Sequence, residues 1–142
     1  MKVDICSLMI KTDKEIKVPA SKIRGYIGNQ FKDKSILHNH YGNERFLYSY
    51  PLVQYKIING QPLILGVGEG AKVLKDISSD LYEFKLDKNY LIEEKIMHEK
   101  EFDINTSNEE FHYKFITPWL ALNTQNFKKY KKMDDWKEKK LF

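Results

Sequence analysis

The chain has 142 residues, of which 42% are hydrophobic, 31% charged and 13% aromatic, with a net charge of +4. That is the length of one domain, or of one domain and the start of another, and about 68–70% of the unfolded surface is buried at this size, so one core needs no staples. The single cysteine, Cys6, excludes an intramolecular disulfide and a zinc–thiolate framework, no run approaches the ~18–20 apolar residues of a membrane span, and Met1-Lys2-Val3-Asp4 opens no apolar leader, so a reducing cytoplasm is the expected compartment.

The charge is unevenly spread. Residues 69–111 hold twelve acids and six lysines, a net of −6, while the rest holds eighteen bases and eight acids, a net of +10. A basic portion set against an acidic one is the pattern that a phosphate-tracking surface leaves, and also the pattern of lysines that only solvate helices.

In chain order, Val3 to Ile10 alternates loosely with β-branched residues and predicts a first strand. Lys11 to Lys17 is a polar loop. In residues 19–31, PASKIRGYIGNQF, Ile23, Ile27 and Phe31 make an apolar helical stripe, with Lys22, Tyr26 and Asn29 on another face. Gly25 and Gly28 weaken that helix by about 1 kcal/mol each relative to alanine. They imply either tight helix-on-sheet packing or close approach of something to the helix backbone. Residues 32–44 are a polar loop, and Phe46 to Tyr50 and Leu52 to Ile58 read as strands parted by Pro51. Asn59-Gly60 is the strongest hairpin signal in the chain, and Pro62 to Leu65 returns as the next strand. Gly66-Val67-Gly68-Glu69-Gly70 turns into a helix over 71–81, with Leu74, Ile77 and Leu81 on one face. The glycine run lacks the Lys-Ser/Thr of a phosphate loop and has an acid where an anion would sit, so it reads as a strand-to-helix turn. Residues 82–104 read as strands broken by charged turns, 105–110 as a polar loop, and Phe111 to Ile116 as a further strand. The last sixteen residues carry seven lysines and three acids, with Phe127, Tyr130, Met133, Trp136 and Leu141 interleaved. This order predicts an α+β, ferredoxin-like (RRM-like) βαββαβ sandwich with an extra β-hairpin.

Two of the four histidines, His38 and His40, stand two apart inside ILHNHYGNERFLYSYP, residues 36–51. The letters His38-Asn39-His40 do not make an HNH nuclease, whose signature is spread over a ββα metal site. The spacing His38-x-His40-x-x-x-Glu44 suits a two-histidine, one-carboxylate metal centre. However, the glycine that a cupin barrel places six residues before its first histidine is Lys32 here, and a second histidine motif is missing. In an extended segment, residues two apart face one side, so both imidazoles can meet one substrate. Imidazole titrates near neutrality and serves as base or acid. RNA offers a reaction that needs only this: the ribose 2′-hydroxyl attacks the adjacent phosphate once a base takes its proton, and an acid protonates the departing 5′-oxygen. Neither metal nor cofactor is required. Lys22, Arg24, Lys32 and Lys34 are the nearby cations expected to bind the phosphates, and Tyr48 is placed to bond the phosphate or orient a histidine. The competing reading of the pair is two surface histidines without a role.

The runs PASKIRGYIGNQF, LHNHYGNERFLYSYPLVQYKIINGQPLILGVGEGAKVL and TPWLALNTQNFKKYKKM, from about residue 19 to residue 133, resemble the N-terminal domain of the CRISPR-associated repeat-RNA endoribonucleases of the Cas-six family, b subtype. The resemblance implies a ferredoxin-like domain and a metal-independent endoribonuclease. Such an enzyme cuts precursor CRISPR RNA within each repeat and leaves a 5′-hydroxyl and a 2′,3′-cyclic phosphate. It implies His40 and His38 as the catalytic residues, in that order, with Tyr48 in support. CRISPR repeat RNA is the implied partner, with other CRISPR-associated proteins and a second copy of the chain as further candidates. A non-catalytic RNA-binding or assembly subunit on the same domain is the alternative. Members of the family usually continue into a second ferredoxin-like domain, so residues 1–120 are expected to be the RNA-processing domain and 121–142 the lysine-rich helical start of a truncated or missing second one. Exposed apolar surface, and hence self-association or an ill-packed tail, is expected at that end.

Overall fold

The computed structural model describes residues 1–37, 40–41, 45–46, 51–116 and 124–132, with the backbone alone at residues 40, 41, 45 and 46. The chain divides into two units, Met1–Glu110 and Phe111–Phe142.

In the first unit, β1 (Lys2–Thr12) leads into α1 (Ala20–Gln30) and a single 3₁₀ turn (Ser35–Leu37). Two short strands, β2 (His40–Tyr41) and β3 (Arg45–Phe46), pair with each other. Then come β4 (Val53–Ile58), β5 (Gln61–Val67), α2 (Glu69–Ser78), β6 (Glu83–Lys85) and β7 (Asn89–Asp103). The main sheet is antiparallel, in the order β4-β5-β1-β7-β6. With β4, β5 and β7 as the second, third and fourth strands of βαββαβ, this is the ferredoxin-like arrangement. The extra hairpin is β6–β7, which widens the sheet at one edge.

The alternation of β1 decides which face is covered. Cys6, Leu8 and Ile10 are each 1% exposed, whereas Met9 between them is 46% exposed. The buried set meets Ile23 and Ile27 of α1 and Ala71, Leu74 and Ile77 of α2, with Ile64, Leu81, Phe84 and Tyr90 completing the core. Helix α1 touches both β4 and β6, the two edge strands, so the sheet curls round the core. Tyr26 packs edge-on against Phe84, ring centres 5.9 Å apart.

The turns explain themselves in backbone terms. Asn59 and Gly60 have φ of 52° and 75°, the two positive values of a type I′ turn, and join β4 to β5. The 66–70 run is structural. A Cβ on Gly66 would lie 2.5 Å from the carbonyl oxygen of Gly70, and a Cβ on Gly70 would lie 2.1 Å from that of Leu52. Both must be glycine for strand, helix and the Leu52 backbone to meet. Glu69, in the first turn of α2, pairs with Lys72 at 3.0 Å. The two glycines of α1 divide: Gly28 is buried, while a Cβ on Gly25 would meet nothing within 4 Å.

Residues 82–104 form two strands, β6 and the fifteen-residue β7, parted by a bend that carries Asp87 and Lys88. The charges at 93–95 and 99–101 lie on exposed positions of β7, whose ladder with β1 shifts register once, between Glu94 and Ile92. Two expectations are corrected. Phe111 to Ile116 form no strand, and Phe111, Tyr113, Phe115 and Ile116 are all more than half exposed. His40 lies in a two-residue strand rather than in the loop expected over 32–44. Of the strand expected over 46–50, only its first residue is described, in β3; residues 47–50 lie outside the described residues.

In the second unit, α3 (Thr124–Lys132) carries Lys129, Lys131 and Lys132 in its last turn, and the Lys131 ammonium lies 5.3 Å from the Phe127 ring centre. Met133 and Trp136 lie outside the described residues. Among the described residues, no helix is long and apolar enough to cross a membrane.

Candidate RNA-processing site

The segment that carries the two histidines is anchored at both ends. On the entry side, the 3₁₀ turn packs against α1 and α2, and Leu37 is 1% exposed. The carbonyl of Leu37 accepts a hydrogen bond from the Tyr55 hydroxyl at 2.7 Å. Burial drives the Tyr55 phenol far above its ordinary pKa, and the Arg24 guanidinium pulls it back only in part. Tyr55 therefore stays protonated and keeps donating to Leu37. On the return side, the Leu52 carbonyl accepts from the Val67 N–H at 2.8 Å and is packed against Gly70. Between these anchors, β2 and β3 pair His40 with Phe46 and Tyr41 with Arg45.

Leu37 at the entry, and Pro51 and Val53 on either side of Leu52 at the return, line one open cleft of about 550 Å³. Ala20, Ser21 and Arg24 of α1 form one wall, Ile36 and Leu37 another, and Pro51 with Val53 to Lys56 the third. The cleft offers two cations, Arg24 and Lys56, beside the hydroxyl of Ser21 and the amide of Gln54. It also takes in the first turn of α1, which carries no acidic residue, so the dipole of that helix end is free to favour a phosphate.

The predicted residues do not all gather here. Arg24 lines the cleft, directly beside the point where the histidine segment leaves and returns. Lys22 lines a different groove, with Gly25, Tyr26, Asn29, Lys85 and Asp87. Lys32 is exposed and Lys34 half-buried in the turn that leads to the 3₁₀ helix. His38, Glu44 and Tyr48 lie outside the described residues, and of His40 the backbone alone is described. The metal-site reading of His38, His40 and Glu44 therefore falls there too. Among the described residues, no three His, Cys, Asp or Glu side chains come together as metal ligands.

Sequence reasoning missed Lys56, Ser21 and Gln54. Lys56 and Gln54 occupy the polar positions of β4, between Val53, Tyr55 and Ile57. That alternation was visible, but it does not say which residues line the cleft. Tyr55, between Gln54 and Lys56, is part of the anchor.

Comparison with known proteins follows the same outline. A search of curated proteins returned no match. A crystal structure of Cas6b is similar over 98% of this chain and 64% of that one, with 30% identity and a TM-score of 0.74. A crystal structure of CRISPR RNA processing endoribonuclease Cas6b is similar over 100% of this chain and 62% of that one, with 27% identity and a TM-score of 0.57. The chain thus spans less than two thirds of the length of either. The family model of the Cas6b N-terminal domain matches residues 1–103, the whole of the ferredoxin-like sheet from β1 to the end of β7. On that match, the chain belongs to the Cas6b family.

Proposed function

We propose that this chain cuts CRISPR precursor RNA within its repeats by a metal-independent reaction, leaving a 5′-hydroxyl and a 2′,3′-cyclic phosphate. Family membership supports the substrate class. The observation that carries the reading is one of placement: the segment with His38 and His40 begins and ends on the rim of a cleft that holds Arg24 and Lys56.

RNA supplies its own nucleophile. One imidazole of the pair takes the 2′-hydroxyl proton, the 2′-oxygen bonds to phosphorus, and the phosphorus–O5′ bond breaks. The other imidazole, protonated, gives its proton to O5′. Arg24 and Lys56 hold the phosphate and oppose the charge that builds on it in the pentacovalent state. Tyr48 supports the histidines or the phosphate, and Lys22, Lys32 and Lys34 draw the backbone in from farther away.

The test is cleavage of an end-labelled RNA carrying the repeat of the source's own CRISPR locus, in excess EDTA, beside an RNA with a 2′-deoxyribose at the cut. Cleavage in EDTA that the deoxy substitution blocks is the expected result. Cleavage that EDTA abolishes would overturn the metal-independent chemistry. Salt-sensitive binding with no cleavage would assign this chain the role of an RNA-binding subunit instead. In the same assay, Arg24→Ala and Lys56→Ala are each expected to weaken binding and to lower the slope of log affinity against log salt by about 0.7–1, the value of one lost phosphate contact. Unchanged slopes in anisotropy titrations would remove the RNA from the cleft.

A further inference from the structure

A second groove, of about 620 Å³, lies between α1 and the bend after β6. Ser21 lines both this groove and the cleft, so the first turn of α1 is their common wall. Past Ser21 that wall is low. Gly25 follows one turn on, is exposed, and a Cβ there would meet nothing within 4 Å. Alanine would serve the helix better by about 1 kcal/mol, and no packing accounts for the glycine. A strand held in the cleft can therefore cross α1 over Ser21 and Gly25 and enter the groove. What it meets there is nearly neutral. Lys85 is paired with Glu83 at 3.3 Å, and Asp87 accepts from the Tyr90 hydroxyl at 2.8 Å. Lys22 makes no ion pair among the described residues. That leaves one cation for a phosphate, and the hydroxyl of Ser21 and the amide of Asn29 for a base edge or a ribose. Tyr26, its ring braced edge-on by Phe84, adds an aromatic surface of the kind on which bases stack. The charge that remains on Asp87 disfavours a second phosphate. One cation, two neutral hydrogen-bonding groups and a ring are the complement of a single unpaired nucleotide.

We propose that the RNA held in the cleft continues over the first turn of α1 and seats one unpaired nucleotide, flanking the cut, in this groove. The inference rests on the placement of RNA in the cleft, and it gives Lys22 a phosphate contact rather than a steering role alone. Gly25 is then the residue that keeps the crossing open, which is why a glycine stands in the middle of an exposed helix face.

Anisotropy titrations with repeat RNA carrying a 2′-deoxyribose at the cut, intact or shortened one nucleotide at a time from either end, test this. Gly25→Leu places a side chain across the crossing and is expected to weaken binding of the intact RNA about tenfold. One shortening step is expected to cost the wild-type chain about tenfold and to cost Gly25→Leu nothing, since the two changes remove the same contact. Leucine favours a helix over glycine, so the variant is expected to fold, which far-ultraviolet circular dichroism checks. Lys22→Ala is expected to lower the slope of log affinity against log salt by about 0.7, the value of one single-strand phosphate. A Gly25→Leu chain that binds intact RNA like wild type, or that still feels every shortening step, would overturn the proposal even where Arg24→Ala and Lys56→Ala lower the salt slope. So would an unchanged slope for Lys22→Ala. Unchanged slopes for Arg24→Ala and Lys56→Ala would instead remove the RNA from the cleft, and this inference with it.

Discussion

Replacing His40 with alanine is expected to lower the single-turnover rate of repeat-RNA cleavage by about 10²–10⁴-fold while RNA affinity stays within about twofold of wild type. The expected split between rate and affinity follows from what the substitution removes. Proton transfer needs the imidazole, whereas phosphate binding is assigned to Arg24 and Lys56 in the cleft. The backbone of residue 40 is held by its pairing with Phe46, which alanine preserves. His38→Ala is expected to act in the same direction. The double variant should lose less than the product of the two single losses, because base and acid serve one reaction. Quench-flow rates on saturated complexes, with affinities from anisotropy, would decide it. A His40→Ala chain that cleaves at the wild-type rate would leave the histidine pair without its assigned role.

The second large effect concerns a residue with no side chain. Gly70→Ala is expected to destabilise the fold by about 2–4 kcal/mol, seen as a fall in melting temperature on the order of 10 °C. The new Cβ would lie 2.1 Å from the Leu52 oxygen and 2.7 Å from its carbon, and backbone atoms cannot swing aside as a lysine tail can. Moving Leu52 also strains the hydrogen bond it accepts from Val67. Because Leu52 anchors the return of the histidine segment, the variant should lose cleavage even at temperatures where it remains folded. Gly25→Ala is the internal control. It meets nothing within 4 Å, and alanine is the better helix former, so it should raise stability by up to about 1 kcal/mol. Thermal melts of the two variants within a degree of each other would show that the Gly70–Leu52 contact is not tight.

Where residue type alone sets the backbone, the sequence was legible. Asn59-Gly60 set a turn with positive φ at both positions, and Ile23–Ile27 and Leu74–Ile77 marked the buried faces of both helices, while Leu81 is buried just past the end of α2 at Ser78. The glycine run was readable as a turn because an acid sits at its helix end. One feature misled. Aromatic residues at 111–116 look like a strand by β propensity, yet they adopt none. The candidate site was half legible. Two histidines in so small a set stand out by rarity. Which cations line the cleft depends on how the sheet curls: Arg24 and Lys56 line it, and Lys22 lines a separate groove.

The place of β1 in the sheet has a consequence for how the chain is made. β1 leaves the ribosome before both of its partners, yet it lies between them in the sheet, flanked by β5 and β7. Its partners on one side end at residue 67 and on the other at residue 103. The β4–β5 hairpin, closed by its own turn, forms within about 1–10 μs of being synthesised. At about 5–20 residues per second, β1 waits several seconds for its first partner and longer for its second. During that interval Cys6, Leu8, Met9 and Ile10 travel as an unpaired apolar strand, which only the later strands enclose.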